Sequence, residues 1–366
     1  MTTVSSRPHQ EQLEELYQAI APQHLRALWT LPEILTAEPT TPVLPHRWSW
    51  SDVRPWLIRS GELVGSEEAE RRVLLLNNPG LPQRPATTQT LVAGFQVVMP
   101  GETQDTHRHT PSALRFIVEG EGGYTVVEGE KTFMRPGDFV TTPNWTWHDH
   151  ANPTDGPMIW LDGLDVPLIG ALNTMFYQQH PGTLQEPSRG LDDSRYRYGA
   201  GVRPTYQRFT GRYSPLLNYT YERVREALDR LAEDRETSPH DDVVVEYVNP
   251  YTGGYVLPTM AAFAQLLRPG IRTTAHRHTS SAVYLVAEGA GYSIVAGQRI
   301  DWTKNDVFVV PTWAWHEHAN GSASQPAVLL SFSELPVLRS LDLYREQALE
   351  TGGGHQQVDR VFGAGA

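Results

Sequence analysis

Apolar and polar positions alternate through ALRFIVEGEGGYTVVEGEKTFMRPGDFVTTP, residues 113–143. Leu114, Phe116 and Val118 share one parity, and Tyr124 and Val126 resume the pattern after a turn. A period of two with one apolar face predicts β-strands. Glycines at 120, 122, 123 and 129 cut the run into short pieces. The stretch SAVYLVAEGAGYSIVAGQRIDWTKNDVFVVP, residues 281–311, repeats the rhythm. Short strands joined by turns predict a mainly β fold, each copy a small barrel or sandwich.

A helical period is confined to segments outside these stretches. EQLEELYQAIAPQHLRALW (11–29) carries a stripe of Leu13, Leu16, Tyr17 and Ile20. PLLNYTYERVREALDRLAEDR (215–235) presents Leu217, Tyr221, Val224 and Leu228 on one face. Ser214 and Pro215 are its expected N-cap and first turn. Both helices are expected to cover a barrel or a neighbouring subunit. The tail TGGGHQQVDRVFGAGA (351–366) is glycine-rich and is expected to be loose.

The two β stretches belong to an internal duplication. His-Arg-His at 107–109 returns at 276–278, and the pair His148 and His150 returns as His316 and His318. Gly101 and Gly270 each stand six residues before the His-Arg-His, and Asn152 and Asn320 each follow four residues after the first histidine of the second pair. Two copies of one unit account for this. The resulting division is a helical N-terminal arm (1–85), a first barrel (86–165), a linker with a helix (166–250), a second barrel (251–340) and a flexible tail (341–366).

Composition narrows the functions available. The chain has 366 residues and a formal charge of −12, which argues against a nucleic-acid partner. There is no cysteine, so disulfides and thiolate metal sites are excluded. No apolar run is long enough to span a membrane. The start MTTVSSRPHQ lacks the basic and apolar pattern of a signal peptide, and a cytoplasmic location is expected.

Eight of the 14 histidines fall in the two matched sets. On a strand, His107 and His109 point the same way while Arg108 points opposite, and His148 and His150 obey the same parity. A lone buried histidine is usually a hydrogen-bonded core residue; four in this pattern, twice, predict metal binding. Spacing alone leaves His148 and His150 open as the third ligand.

These residues resemble the cupin motifs: Gly101, His107 and His109, then Gly137, Pro143, His148 and Asn152. The acidic ligand that cupins usually carry four or five residues after the second histidine is missing, since Ala113 and Leu114 stand there. An all-histidine triad marks the gentisate 1,2-dioxygenases and their salicylate and 1-hydroxy-2-naphthoate relatives. The chain resembles that family in PHRWSWSDVRPWL, AERRVLLLNNPG, HRHTPSALRFIVEG, PGDFVTTPNWTWHDHAN, SPLLNYTYERVREAL and YVNPYTGGYVLPT.

The resemblance implies a bicupin of two tandem β-barrels and an Fe(II)-dependent ring-cleaving oxidoreductase, assembled as a homotetramer. Its substrates would be a small aromatic carboxylate and O2, with gentisate opened to maleylpyruvate. Three neutral imidazoles leave a divalent ion its full charge and open positions for a carboxylate–hydroxyl chelate and for oxygen. The implied ligands are His107, His109 and His148, with His150 managing protons and Arg115 binding the substrate carboxylate. Arg71, Gln96 and Asp162 are implied pocket residues, and Trp145, Trp147 and Trp160 core or pocket wall. In the second copy His276, His278 and His316 retain the triad, with His318 beside it. Tyr284 replaces Arg115 and Ser331 replaces Asp162, which implies a structural metal or altered chemistry. Rival readings are a salicylate or 1-hydroxy-2-naphthoate dioxygenase, a zinc hydrolase, and a non-catalytic ligand-binding cupin.

Overall fold

The computed structural model describes residues 7–66 and 68–363. The first six residues and the last three therefore lie outside it, and with them most of the signal-peptide expectation and the tail's final Ala-Gly-Ala. Residues up to Thr40 form a unit of their own, within which the helix Arg7–Ile20 places Leu13, Tyr17 and Ile20 as its least exposed side chains. The unit from Thr41 onward carries every strand among the described residues.

Two barrels of paired sheets dominate that unit. In the first, one sheet orders Asn218–Tyr219, Phe139–Thr142, Ala113–Glu119, Met158–Leu164, Val92–Val98 and Val73–Leu75. The facing sheet orders Tyr177–Gln179, Thr103–His109, His148–Ala151, Tyr124–Val127 and Glu130–Phe133. The second barrel repeats this plan, with Ala282–Glu288 and Ala327–Ser333 in one sheet and His276–His278 and His316–Ala319 in the other. Alternation in the sequence appears here as burial: Leu114, Phe116, Phe139 and Leu161 enter a core shared with Leu285, Val309, Leu330 and Phe332 of the other barrel. The barrels approach closely at Gly163, where an added Cβ would sit 2.5 Å from the Phe332 ring.

Three expectations are corrected. The arm is not only helical: beside the helix Trp50–Leu63 it supplies His46–Trp48 to the second barrel and Val73–Leu75 to the first. The linker helix starts at Tyr221, not at Ser214-Pro215, because Asn218–Tyr219 is taken up as a strand against Phe139–Val140. Asp138 Oδ1 then accepts the Tyr221 amide at 2.9 Å, and buried Ser214 closes its own turn onto the Leu216 amide. The described part of the tail is ordered, with Glu346–Ala348 pairing with His276–His278 and Arg360–Val361 pairing in parallel with Gln298–Arg299. In each case an open sheet edge offers backbone hydrogen bonds that no side-chain pattern announces.

Two buried carboxylates cross-link the barrels. Asp165 accepts the Ser112 amide at 2.8 Å and the Thr259 hydroxyl, while its counterpart Glu334 accepts Ser281 N at 2.9 Å and lies within reach of Thr90. Burial raises the Asp165 carboxyl to about 6 from 3.8, its hydrogen bonds opposing this in part. A raised acid favours the folded state below its unfolded pKa, and that contribution fades as pH rises through the folded value. About two pKa units correspond to about 3 kcal/mol. Asp165→Asn is therefore expected to gain up to about this much relative to the parent as pH rises from about 4 to 6.5. Urea midpoints across that range check it; a constant difference between the two proteins contradicts it.

Candidate active site

The first triad is assembled where two strands of one sheet face each other. His107 pairs directly with His148, after a register shift between Gln104 and His107. Parity holds as the sequence implies. Arg108 points outward, its guanidinium 4.4 Å from the Trp145 ring and 4.3 Å from the Trp147 ring. These two tryptophans thus clasp the back of the histidine strand instead of lining a pocket.

One nitrogen from each of His107, His109 and His148 lies within 4.8 Å of the others. That bound is looser than the spacing of about 3.5 Å expected of ligands gathered on one ion. Every outer nitrogen has an acceptor. His107 Nδ1 meets Glu70 Oε1 at 2.5 Å, His109 Nδ1 meets Pro111 O at 2.7 Å, and His148 Nδ1 meets Thr146 O at 3.0 Å. A proton held on each Nδ1 leaves the three Nε2 lone pairs facing inward, the tautomer a metal requires. Burial lowers all three imidazoles, His107 to about 4 with Arg71 adding to the effect. They are neutral at physiological pH and free to ligate.

All eight residues singled out in the first copy line one cavity of about 300 Å³. Arg71, Gln96, Arg115, His150 and Asp162 join the triad there, and Val73, Leu75, Val92, Leu164 and Val166 supply an apolar wall. Arg115 is buried and pairs in register with Asp162, its Nε donating to Asp162 Oδ1 at 3.2 Å. The other Asp162 oxygen accepts Trp160 Nε1 at 2.9 Å. Arg115 Nη1 lies 3.1 Å from His150 Nδ1, and burial together with this cation holds the His150 imidazole well below its ordinary pKa. His150 is thus a neutral acceptor beside a fixed guanidinium. Gln96 donates to Gln104 Oε1 at 2.6 Å. Arg71, at the rim, donates to Glu70 O at 2.8 Å and Asp105 O at 2.9 Å; burial lowers its guanidinium to about 10, so it remains charged.

The sequence reading missed Glu70 and Tyr177. Glu70 accepts from His107 and from the Tyr177 hydroxyl, and these bonds outweigh its partial burial to hold the carboxyl below its ordinary value. Its only sequence signal is its place before Arg71 in AERRV. Glu70→Gln is expected to lower metal affinity at this triad by about 10–100-fold, the usual cost of losing a carboxylate behind a ligating histidine. Competition with a chelator of known affinity measures this; unchanged affinity contradicts it.

Both halves of the chain match the Cupin domain family, over residues 94–164 and 263–333. A gentisate 1,2-dioxygenase of Aquipseudomonas alcaligenes is 42% identical over 91% of this chain and 95% of its own length. The chain belongs to the gentisate 1,2-dioxygenase family. A 5-aminosalicylate 1,2-dioxygenase of a Comamonas species is 40% identical over 96% of the chain and 95% of its own length. The structure of salicylate 1,2-dioxygenase from Pseudoaminobacter salicylatoxidans as its gentisate adduct superposes with a TM-score of 0.86. It shares 32% identity over 95% of this chain and 96% of that one. The bicupin expectation therefore holds, and the protein is a ring-cleaving dioxygenase of this family.

Among the described residues no helix is long and apolar enough to cross a membrane.

Proposed function

We propose that the protein is an Fe(II)-dependent dioxygenase that opens gentisate with O2 to give maleylpyruvate. The observation that carries this reading is the single cavity in which a three-histidine face, a buried arginine and a neutral histidine meet. His107, His109 and His148 would hold the metal, an all-imidazole donor set that suits Fe(II) among the first-row divalent ions. The bound ion would supply the redox path between the aromatic ring and O2.

The chain's own residues set the geometry. Arg115, locked by Asp162, offers a guanidinium with fixed orientation to the substrate carboxylate. That fixes which ring carbon faces the metal. His150, held neutral by burial and by the same guanidinium, would accept a hydrogen bond from the ortho hydroxyl and so manage its proton. Arg71 and Gln96 hold the remaining polar edge, and the apolar wall packs the ring and excludes water. A zinc hydrolase acting on a neutral substrate has no use for a cationic lining. Here the polar groups beside the triad are dominated by two arginines, which suit an anionic substrate.

A second reading within the class, a salicylate dioxygenase, is favoured by that wall: Val73, Leu75, Val92, Leu164 and Val166 offer no partner for a second ring hydroxyl. Oxygen uptake by iron-loaded protein with gentisate, salicylate and 1-hydroxy-2-naphthoate separates the two. Turnover of gentisate alone supports the main reading, and comparable kcat/KM for salicylate moves the assignment to the salicylate branch. The implied homotetramer and cytoplasmic location belong to the same proposal; size-exclusion chromatography with light scattering tests the first.

A further inference from the structure

The second barrel carries a histidine triad of the same form in a cavity of different character. His276, His278 and His316 bring one nitrogen each within 4.8 Å. Their outer nitrogens meet Glu346 Oε1 at 3.1 Å, Ser280 O at 2.8 Å and Ala314 O at 3.0 Å. Nε2 of His276 and of His316 is buried without a partner. A buried nitrogen lone pair left unmatched costs about 1–3 kcal/mol, which a ligated ion would relieve.

The carboxylate behind the first histidine comes from a different place in each copy. In the first barrel Glu70 reaches His107 from the segment ahead of the barrel, and Tyr177 pairs with His109 on the edge strand. In the second, Glu346 holds that edge-strand place, pairing with His278, and itself supplies the acceptor for His276. The same outer hydrogen bond has thus been built twice from non-equivalent residues. A cluster of three histidines with no ion to hold has no need of it.

The cavity around this triad is larger, about 470 Å³. Tyr284 and Ser331 pair in register where Arg115 and Asp162 pair in the first barrel, confirming the alignment drawn from sequence. Two arginines and one aspartate line the first cavity; one arginine, Arg339, and three carboxylates, Asp241, Glu246 and Glu346, line the second. The sign of the lining is reversed. Carboxylates around a triad draw a cation in and repel an anion, and no buried guanidinium offsets this.

We propose that the second barrel binds one divalent metal ion through His276, His278 and His316, leaves its remaining positions to water, and excludes the aromatic carboxylate that the first cavity takes. The excluded-ligand half rests on the proposed function of the first cavity; the metal half does not. The ion also ties the edge strand Glu346–Ala348 to the barrel through Glu346, so loading it stabilises the tail's attachment.

Cobalt(II), whose visible bands report its coordination, is the probe. Apoprotein loaded with Co(II) and desalted is expected to retain two equivalents per chain, and the double variants His107→Ala/His148→Ala and His276→Ala/His316→Ala one each. Salicylate is expected to shift the bands of the His276→Ala/His316→Ala protein and leave those of the His107→Ala/His148→Ala protein unchanged. Co(II) is further expected to raise the melting temperature of the latter. A single equivalent in the unmutated chain overturns the second centre without recourse to any variant that fails to fold. Bands in the His107→Ala/His148→Ala protein that move with salicylate at a midpoint like that of the other variant overturn the ligand assignment. Failure of the ring-cleavage reading shows separately, as iron-loaded unmutated protein that takes up no oxygen while its metal count stands.

Discussion

Replacing His148 by alanine is expected to abolish ring cleavage and to release the metal of the first barrel while the fold survives. His148 is buried, its Nδ1 is fixed on Thr146 O, and its ring lies 4.5 Å from that of His107 and 4.9 Å from that of His109. Two imidazoles on one strand cannot complete a facial set without a third from the strand opposite. The loss in affinity should exceed the roughly 10–100-fold that follows from disturbing an outer partner alone. Metal content after desalting, a melting curve and oxygen uptake are read together. Full metal retention with normal turnover would show that the third ligand is His150, the alternative that spacing left open.

Arg115→Met carries the second large effect. Truncating one member of a buried, charge-assisted contact costs about 2–5 kcal/mol, roughly 30-fold to several thousand-fold in kcat/KM. The loss should appear in KM, through the missing carboxylate contact, and in kcat, through a ring no longer held in register with the metal. Stability pays a separate penalty, since Asp162 is left buried without its guanidinium. Burial already pushes the Asp162 carboxyl above its ordinary value, with Arg115 opposing. Without Arg115 the group rises further, so the variant is expected to be more stable near pH 5 than near pH 8, the reverse of what a depressed carboxyl gives. Adding Asp162→Asn is expected to restore much of the stability at pH 8 and none of the activity. Activity recovered in that double variant would mean Arg115 acts only as a structural partner.

The two barrels were legible because burying one face of a strand imposes a period of two, and because duplication printed the pattern twice. The edge strands His46–Trp48, Tyr177–Gln179 and Glu346–Ala348 were not, since they are held by backbone pairing and carry no alternation. For the same reason Asn218–Tyr219 was read as part of a helix that starts only at Tyr221.

The triad was readable from its repetition, while Arg115, which lines the cavity from Ala113–Glu119, was implied by family resemblance. Arg71, Gln96 and Asp162 came from family resemblance, and they do line the cavity. Glu70 escaped because it belongs to no repeat and acts through His107, not on a ligand directly. The Asp241, Glu246 and Glu346 lining escaped because its members lie on three separate strands or turns, brought together only by closure of the second barrel.

The first cavity is proposed here as an iron-dependent ring-cleaving site. Its most direct test is anaerobic loading with Fe(II), removal of unbound iron, and oxygen uptake on adding gentisate. One O2 is expected to be consumed per gentisate, with growth of the maleylpyruvate absorbance and loss of both in His148→Ala. Protein that holds iron at His107, His109 and His148 yet consumes no oxygen with gentisate or salicylate would contradict that assignment.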